Sequence, residues 1–344
     1  MSRYRVAVVG ATGAVGTVML RKLGERKFPA AEIVPFASER SAGRVLDGGL
    51  TVQPLTEETI QGFDLALFSA GATTSGEWAP RFVSAGAVVV DNSSRFRRDP
   101  EIPLVVAEVN PEALDGHRGL IANPNCSTMQ LMVALKPIHA TAGIERLIVS
   151  TYQSVSGTGV KAVAELTEQT RRVLEGEPPG EPAVYPHPIA FNVLGGAGNF
   201  AEGDDHTDEE RKMMFETRKI LGDDAIGISV TCARVPVIAS HSESVNVQTR
   251  EPLSPEDARE LLRAAPGITV VDDPATHAYP TAVAAAGHDD VFVGRIRRDP
   301  SHERALNLWV VSDNLLKGAA TNAVQLAEVL DARGLIGARA GATA

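Results

Sequence analysis

The strongest sign of the fold is Arg5-Val-Ala-Val-Val-Gly-Ala-Thr-Gly-Ala-Val-Gly16. An apolar, β-rich run comes first, the glycines Gly10, Gly13 and Gly16 follow at once, and a helical spacing of apolar residues comes next. Strand, glycine-rich turn and helix in this order predict a Rossmann-type unit, in which backbone N–H groups at the helix start face a pyrophosphate. An ordinary turn between strand and helix is the alternative.

The end of the second predicted strand bears on the choice of dinucleotide. Residues 33–36 read as that strand, and Arg40 and Ser41 follow it. An arginine with a hydroxyl suits a 2′-phosphate, whereas an acidic residue such as Glu39 would favour NAD. The pattern favours NADP, and a solvated loop is the alternative reading.

Further apolar runs at residues 65–68 and 87–90 predict more strands of the same parallel sheet. Polar loops follow both runs, at the edge where parallel sheets bind ligands. Phe96-Arg-Arg98 brings cationic side chains near this edge, so Arg97 or Arg98 is a candidate phosphate ligand. A solvated surface charge is the other interpretation.

Cys126 lies in Ile121-Ala-Asn-Pro-Asn-Cys-Ser-Thr-Met-Gln130, where a loop gives way to a predicted helix. At a helix N-terminus the helix dipole favours the thiolate, and a thiolate attacks carbonyl carbon readily. A buried core thiol is the alternative for Cys126, and the strand setting of Cys232 indicates that role for the second cysteine.

The second half of the chain supplies candidates for the remaining chemistry. Gln153 ends a predicted strand, and His241 lies on a short turn and has a side chain suited to proton transfer. Arg234 lies in an apolar strand and needs an anionic partner, either a structural carboxylate or a substrate carboxylate. Glu209 and Lys212 share one face of a predicted helix over 208–221, as a surface ion pair or as a site for a substrate with both charges.

Composition excludes several classes of protein. The chain has 344 residues, two cysteines and a formal charge of −10, which argues against a nucleic-acid partner and against a disulfide framework. No long apolar run predicts a membrane span, no Cys or His spacing predicts a metal site, and the start of the chain reads directly into a strand without a signal peptide. We therefore expect a cytoplasmic protein of two domains.

With these residues in hand, the chain resembles the aspartate-semialdehyde dehydrogenase family over nearly its whole length. The segment 175–205 matches this family poorly, so its role stays open. The resemblance rests on seven motifs in the right order: Gly10-Ala-Thr-Gly-Ala-Val-Gly16, Asp91-Asn-Ser-Ser94, Asn123-Pro-Asn-Cys-Ser127, Tyr152-Gln-Ser-Val-Ser-Gly157, Glu209-Glu-Arg-Lys212, Cys232-Ala-Arg-Val-Pro236 and Ser240-His-Ser-Glu-Ser244.

The resemblance implies NADP-dependent reductive dephosphorylation of L-aspartyl 4-phosphate to L-aspartate 4-semialdehyde, on the route to lysine, methionine and threonine. It implies that Cys126 forms an acyl-thioester, that His241 is the general acid/base and that Gln153 orients the reacting groups. The implied substrate ligands are Arg97, Glu209, Lys212 and Arg234. The implied cofactor ligands are Gly10, Thr12, Gly13, Ala14, Val15, Arg40, Ser41, Ser156, Gly157 and Asn314.

The resemblance also implies the architecture. We expect an α/β fold with a Rossmann-type, NADP-binding domain over 1–126 and an α+β catalytic and dimerisation domain over 127–312 with a mixed, largely antiparallel sheet. The C-terminal helix, 313–333, is expected to pack back on the first domain, followed by a frayed tail over 334–344. The expected assembly is a homodimer or a dimer of dimers.

Two alternatives belong to different classes of protein. An N-acetyl-glutamyl-phosphate reductase would use the same cysteine chemistry, but Asn125 and Ser127 beside Cys126 depart from that family's pattern. A non-catalytic NADP-binding protein would have no need of the nucleophile.

Overall fold

The computed structural model describes residues 3–337, which form two compact units. One unit consists of residues up to 125 together with those from 319 onward, and the other spans 126–318. The strands in chain order are β1 (Tyr4–Val9), β2 (Ala30–Ala37), β3 (Gln53–Pro54), β4 (Leu65–Phe68), β5 (Val88–Asp91), β6 (Leu120–Ala122), β7 (Ile144–Gln153), β8 (Gly227–Arg234), β9 (His241–Thr249), β10 (Ile268–Val270), β11 (Val291–Arg298) and β12 (Ala305–Ser312). The helices are α1 (Ala14–Glu25), α2 (Ala72–Ser84), α3 (Cys126–Ala142), α4 (Val160–Leu174), α5 (Asp208–Leu221), α6 (Pro255–Ala264), α7 (Ala282–Ala285) and α8 (Thr321–Ala332).

The first unit contains a parallel sheet with the strand order β3-β2-β1-β4-β5-β6. The central strands β4 and β5 are buried along their whole length, because helices cover both faces of the sheet. The order reverses direction between β1 and β4, the switch point at which doubly wound sheets bind ligands beyond the carboxyl ends of the strands. The predicted Rossmann-type sheet is confirmed.

Two apolar layers hold this sheet. Val6 and Val8 face α1 and α8, and Leu326 and Leu330 of α8 are fully buried in that layer. The opposite layer is aromatic and includes Phe36, whose ring meets that of Phe82 edge to face at 5.9 Å. The last helix of the chain is therefore an integral part of the core of the first unit.

The end of the chain differs in detail from the amphipathic helix expected over 313–333. Leu316–Ala320 is a π-helix, and the α-helix begins only at Thr321. Ile336, within the stretch expected to fray, is buried in the core of the first unit. Residues 338–344, the rest of that expected tail, lie outside the described residues.

The second unit contains a mixed sheet with the strand order β10-β11-β12-β9-β7-β8. The β11–β12, β12–β9 and β9–β7 pairs are antiparallel, and the two outer pairs are parallel. Burial alternates along β7, so one face packs against helices such as α3 while residues such as Ile148 and Tyr152 on the other face are exposed. The predicted mixed, largely antiparallel sheet is confirmed.

Within the described residues, no helix has the length and apolar character needed to cross a membrane.

Candidate active site

The glycine turn of the first unit is shaped by close backbone contacts. A Cβ on Gly10, whose φ is +85°, would lie 2.3 Å from the carbonyl oxygen of Ser69, and a Cβ on Gly16 would lie 2.1 Å from that of Gly10. Neither position tolerates a side chain without backbone movement. Gly13 is the N-cap of α1, and among the described residues no side chain caps the helix there. The first N–H groups of α1 are thus oriented for an anionic ligand.

The surroundings of this turn are cationic. A cavity of about 740 Å³ opens beside Thr12 and is lined in part by Arg21 and Arg44. Arg40 and Ser41 lie in a short 3-10 turn directly after β2, and the side chain of Arg40 is exposed. The residues present fit a dinucleotide whose phosphates face the turn.

Asp91, at the end of β5, organises the loop that carries Arg97. Its carboxylate accepts hydrogen bonds from the hydroxyls of Ser75 (2.7 Å) and Ser93 (2.6 Å). Burial raises the pKa of Asp91, and these hydroxyls and the Arg97 guanidinium act in the opposite direction. Arg97 is buried and donates to the carbonyl of Asn92 at 2.9 Å, whereas Arg98 is exposed. The two arginines, between which the residue pattern alone did not decide, thus differ in burial.

Cys126 is the first residue of α3, as predicted, and its side chain is half-buried. Gly318 of the π-helix packs on it so closely that a Cβ at Gly318 would lie 2.9 Å from the Cys126 Cβ. The same Cβ would lie 3.6 Å from that of Asn314. Sequence reasoning missed Gly318, although a glycine inside a predicted helix is costly and thus a signal in itself.

His241 is the first residue of β9 rather than part of a turn. Its Nδ1 accepts a hydrogen bond from the backbone N–H of Ser154 at 3.0 Å, so the neutral ring carries its proton on Nε2. Burial, with a further contribution from the Arg234 guanidinium, lowers the pKa of His241 from 6.5 to about 3. The imidazole is therefore neutral at physiological pH and presents Nε2–H as a donor.

This pKa predicts an acid sensitivity of the fold. The unfolded imidazole binds a proton near pH 6.5 and the folded one only near pH 3, so acid lowers the free energy of unfolding between these values. In the His241→Asn variant we expect the free energy of unfolding to decrease less with acidification than in the wild type. The difference between the two slopes should reach up to about 1.4 kcal/mol per pH unit. Urea unfolding of both proteins at pH 7, 5.5 and 4.5 measures the difference. Parallel losses of stability would contradict the assignment.

Arg234 lies beside His241 at the end of β8. Its Nη1 donates to the carbonyl of Ser154 at 2.7 Å, and its guanidinium is 5.9 Å from the ring centroid of Tyr185. Gly157 lies against both residues, since a Cβ there would be 3.3 Å from the His241 ring and 3.4 Å from the Arg234 guanidinium. Arg234 Nε is buried and has no acceptor among the described residues, which suits an anionic ligand.

Gln153, Glu209 and Lys212 form a connected group. Gln153 Nε2 lies 3.5 Å from Glu209 Oε1, and Lys212 Nζ lies 3.2 Å from Glu209 Oε2 and 2.8 Å from Asp208 Oδ2. Burial opposes ionisation of Lys212, but Glu209 and Asp208 outweigh it, so the pKa of Lys212 is raised. The pair is partly buried rather than a solvated surface pair, and it presents both signs of charge.

Asn314 joins several segments of the second unit. Its Oδ1 accepts hydrogen bonds from the hydroxyls of Ser154 and Ser156 and from the N–H of Ser240. Ser240 has a φ of +72°, a strained conformation for a residue other than glycine. Ser156 and Asn314 were among the expected site residues, whereas Ser154 and Ser240 were not. The contacts run from Cys126 through Gly318 and Asn314 to Ser154 and His241.

The predicted residues divide between the units. Those of the first unit are Gly10, Thr12, Gly13, Ala14, Val15, Arg40, Ser41 and Arg97. Those of the second unit are Cys126, Gln153, Ser156, Gly157, Glu209, Lys212, Arg234, His241 and Asn314.

Two family models match the chain. One, described as semialdehyde dehydrogenase, NAD binding domain, matches residues 5–117. The other, described as semialdehyde dehydrogenase, dimerisation domain, matches residues 135–317.

Two relatives match almost the whole chain. It is 54% identical to the aspartate-semialdehyde dehydrogenase of Aquifex aeolicus, over 97% of this chain and 99% of the relative. It is also 54% identical to that of Legionella pneumophila, over 96% of each.

Solved structures agree. The crystal structure of aspartate semialdehyde dehydrogenase II from Vibrio cholerae complexed with ASA has a TM-score of 0.92 at 47% identity, over 96% of this chain and 99% of that one. Aspartate semialdehyde dehydrogenase with NADP from Candida albicans has a TM-score of 0.74 at 27% identity, over 97% and 100%.

Proposed function

The chain belongs to the aspartate-semialdehyde dehydrogenase family, and on that premise we propose that it works through a thioester on Cys126 with NADP as its cofactor. The family reaction is the reductive dephosphorylation of L-aspartyl 4-phosphate to L-aspartate 4-semialdehyde and phosphate, on the route to lysine, methionine and threonine. The observation that carries the proposed mechanism is the line of contacts from Cys126 through Gly318 and Asn314 to Ser154 and His241.

The proposed mechanism begins with the thiolate of Cys126. Its sulfur attacks the acyl carbon, an S–C bond forms, and the C–O bond to phosphate breaks as phosphate departs. Bound NADPH would supply a hydride for reduction of the thioester carbon. The neutral imidazole of His241 stabilises the oxygen that gains negative charge by a hydrogen bond from its Nε2–H. The carbonyl re-forms as the S–C bond breaks, so the thiolate leaves, the aldehyde forms and the proton stays on Nε2.

The substrate ligands follow from charge and burial. We propose that Arg234 binds the substrate carboxylate, because its Nε is buried without an acceptor among the described residues. Glu209 suits the α-amino group, and Gln153, whose amide meets Glu209, orients the reacting carbonyl. Lys212 is proposed as a phosphate ligand. So is Arg97, whose burial favours it over Arg98.

The cofactor ligands are proposed in the same way. Residues 12–15 and the open N-terminus of α1 would hold the pyrophosphate, and Arg40 with Ser41 would hold a 2′-phosphate. Asn314 already uses its Oδ1 on three internal donors. Its proposed contribution to cofactor binding is therefore to hold the segment of Ser156 and Gly157 in shape.

Arg40 gives a direct test of the cofactor. We expect Arg40→Ala to raise the KM for NADP about tenfold or more and to leave the KM for NAD within about twofold, because only NADP carries the 2′-phosphate. Initial rates with both dinucleotides at fixed semialdehyde and phosphate measure this. Arg171→Ala, which removes an exposed cation of α4 in the second unit, is the control and should change neither KM. Equal losses with NADP and NAD in Arg40→Ala would contradict the assignment.

We propose a homodimer formed through the second unit. The chain matches a dimerisation-domain model there, and the face of its sheet opposite α3 exposes Ile148 and Tyr152. Tyr152 packs against Trp309, which lines a cavity of about 490 Å³ on this face together with Tyr279. An exposed aromatic face of this kind is typical of an interface, and sedimentation equilibrium measures the assembly directly.

The function is tested with two aldehydes side by side. We expect phosphate-dependent reduction of NADP with L-aspartate 4-semialdehyde and at least about 100-fold lower kcat/KM with N-acetyl-L-glutamate 5-semialdehyde, because Arg234 and Glu209 suit a free amino acid. Omitting phosphate is the internal control, since a thioester cannot be released as acyl phosphate without it. Faster turnover of the acetylated aldehyde would refute the proposed substrate.

A further inference from the structure

Glu243 lies in the interior of the second unit, directly behind the residues proposed to react. It is two residues after His241 on β9, so both side chains point to the same face of the sheet. Glu243 is fully buried, and neither of its carboxyl oxygens has a hydrogen-bond partner among the described residues. A buried carboxyl group without partners is costly, and its presence calls for a physical reason.

A second incomplete polar group faces Glu243 from α3. Gln130 is four residues after Cys126 and therefore lies on the same face of the helix, one turn below the thiol. Its Nε2 is buried and has no acceptor among the described residues. The amide of Gln130 is close enough to lower the pKa of Glu243 but does not reach normal hydrogen-bond geometry.

Ser312 completes the group from the neighbouring strand. Its Oγ donates to Gln130 Oε1 at 2.9 Å, and in the register of β12 with β9 it pairs with His241. Ser312 thus lies beside β9, the strand that begins with His241, and its hydroxyl is hydrogen-bonded to α3, the helix that begins with Cys126. The three side chains connect the two elements whose first residues are Cys126 and His241.

We propose that Glu243 is a positioning residue that, together with Gln130 and Ser312, holds the helix of Cys126 in register with the strand of His241. The inference rests on the roles proposed above for Cys126 and His241. It concerns the geometry between them and adds no step to the reaction.

The side chain of Glu243 acts as a neutral carboxylic acid. Burial raises the pKa of Glu243 well above its ordinary value, and Cys232, which also faces it, has its thiol pKa raised by burial. A neutral acid has one donor and free acceptor sites, so it can accept from the Gln130 amide while contributing no charge to the interior. A glutamine at this position has the same shape and hydrogen-bonding capacity and should replace it.

The test uses the full chain with Glu243→Leu, Glu243→Gln and Ser312→Ala. We expect Glu243→Leu to lower kcat about tenfold or more with KM within about twofold, and Ser312→Ala to lower kcat about threefold or more. Glu243→Gln should restore most of the loss. Alkylation of Cys126 by iodoacetamide as a function of pH gives a second readout, in which the Leu variant should show an altered rate and the Gln variant the original profile.

Gln169→Leu is the matched control. Gln169 is a buried residue of α4 whose amide oxygen accepts from the N–H groups of Ile189 and Ala190, so its loss should lower stability but not kcat. Full kcat in both Glu243→Leu and Ser312→Ala would overturn the proposal, and so would a Gln variant as impaired as the Leu variant. Should Cys126→Ala retain turnover, the thioester mechanism fails by itself, and the alkylation profiles still decide whether Glu243 positions Cys126.

Discussion

Replacing Cys126 with alanine is expected to abolish turnover, with kcat lowered by about 10⁵-fold or more. Alanine leaves no atom able to form an acyl bond, and the other cysteine cannot replace Cys126, because Cys232 is fully buried and burial raises the pKa of its thiol. The measurement is phosphate-dependent NADP reduction at saturating semialdehyde, combined with a binding measurement for NADP that should be unchanged.

Cys232→Ala is the matched control for this experiment. Its sulfur packs 3.7 Å from Met213 Sδ in the core, so we expect a loss of about 1 kcal/mol of stability and little change in kcat. A Cys126→Ala protein that retains more than about a tenth of the wild-type rate would refute the thioester route. A non-catalytic dinucleotide-binding protein would be favoured only if the wild-type chain itself showed no turnover.

The second large effect is expected for His241→Asn, with kcat lowered about 10²- to 10⁴-fold and KM within about threefold. Asparagine can still accept the hydrogen bond from the Ser154 N–H, so the backbone around position 241 should keep its shape. Its shorter amide cannot accept this bond and also place an N–H donor where the Nε2–H of the imidazole lies, and this donor is what the proposed reaction uses.

The neutral form of His241 makes a further check possible. NMR spectra of the imidazole groups should contain one ring that does not titrate between pH 5 and 8, and its signals should be missing in His241→Asn. A kcat within fivefold of wild type in that variant would refute the proposed role of the Nε2–H group in turnover. A ring that titrates near pH 6.5 would refute the neutral donor state, even if turnover were lost.

The sequence was informative wherever the physical cause is local along the chain. The strand, glycine turn and helix at Gly10 to Gly16 depend on backbone sterics within a few residues, and the structure contains them in that order. The helix over 208–221 was predicted with its observed bounds, and it is held by a capping box between Thr207 and Glu210. The start of α3 at Cys126 was predicted for the same reason, since it depends on the residues directly before and after it.

The features of the site that only the tertiary structure decided are contacts between residues far apart in the chain. Gly318 packs on Cys126, the Ser154 N–H sets the tautomer of His241, and Asn314 joins Ser154 to Ser240. The sequence predicted a turn at His241 because Ser240 and its neighbours are turn formers, but pairing with Ser312 of β12 makes His241 the first residue of a strand. Burial beneath packed helices, which no local pattern encodes, keeps its imidazole neutral and makes Glu243 an interior acid.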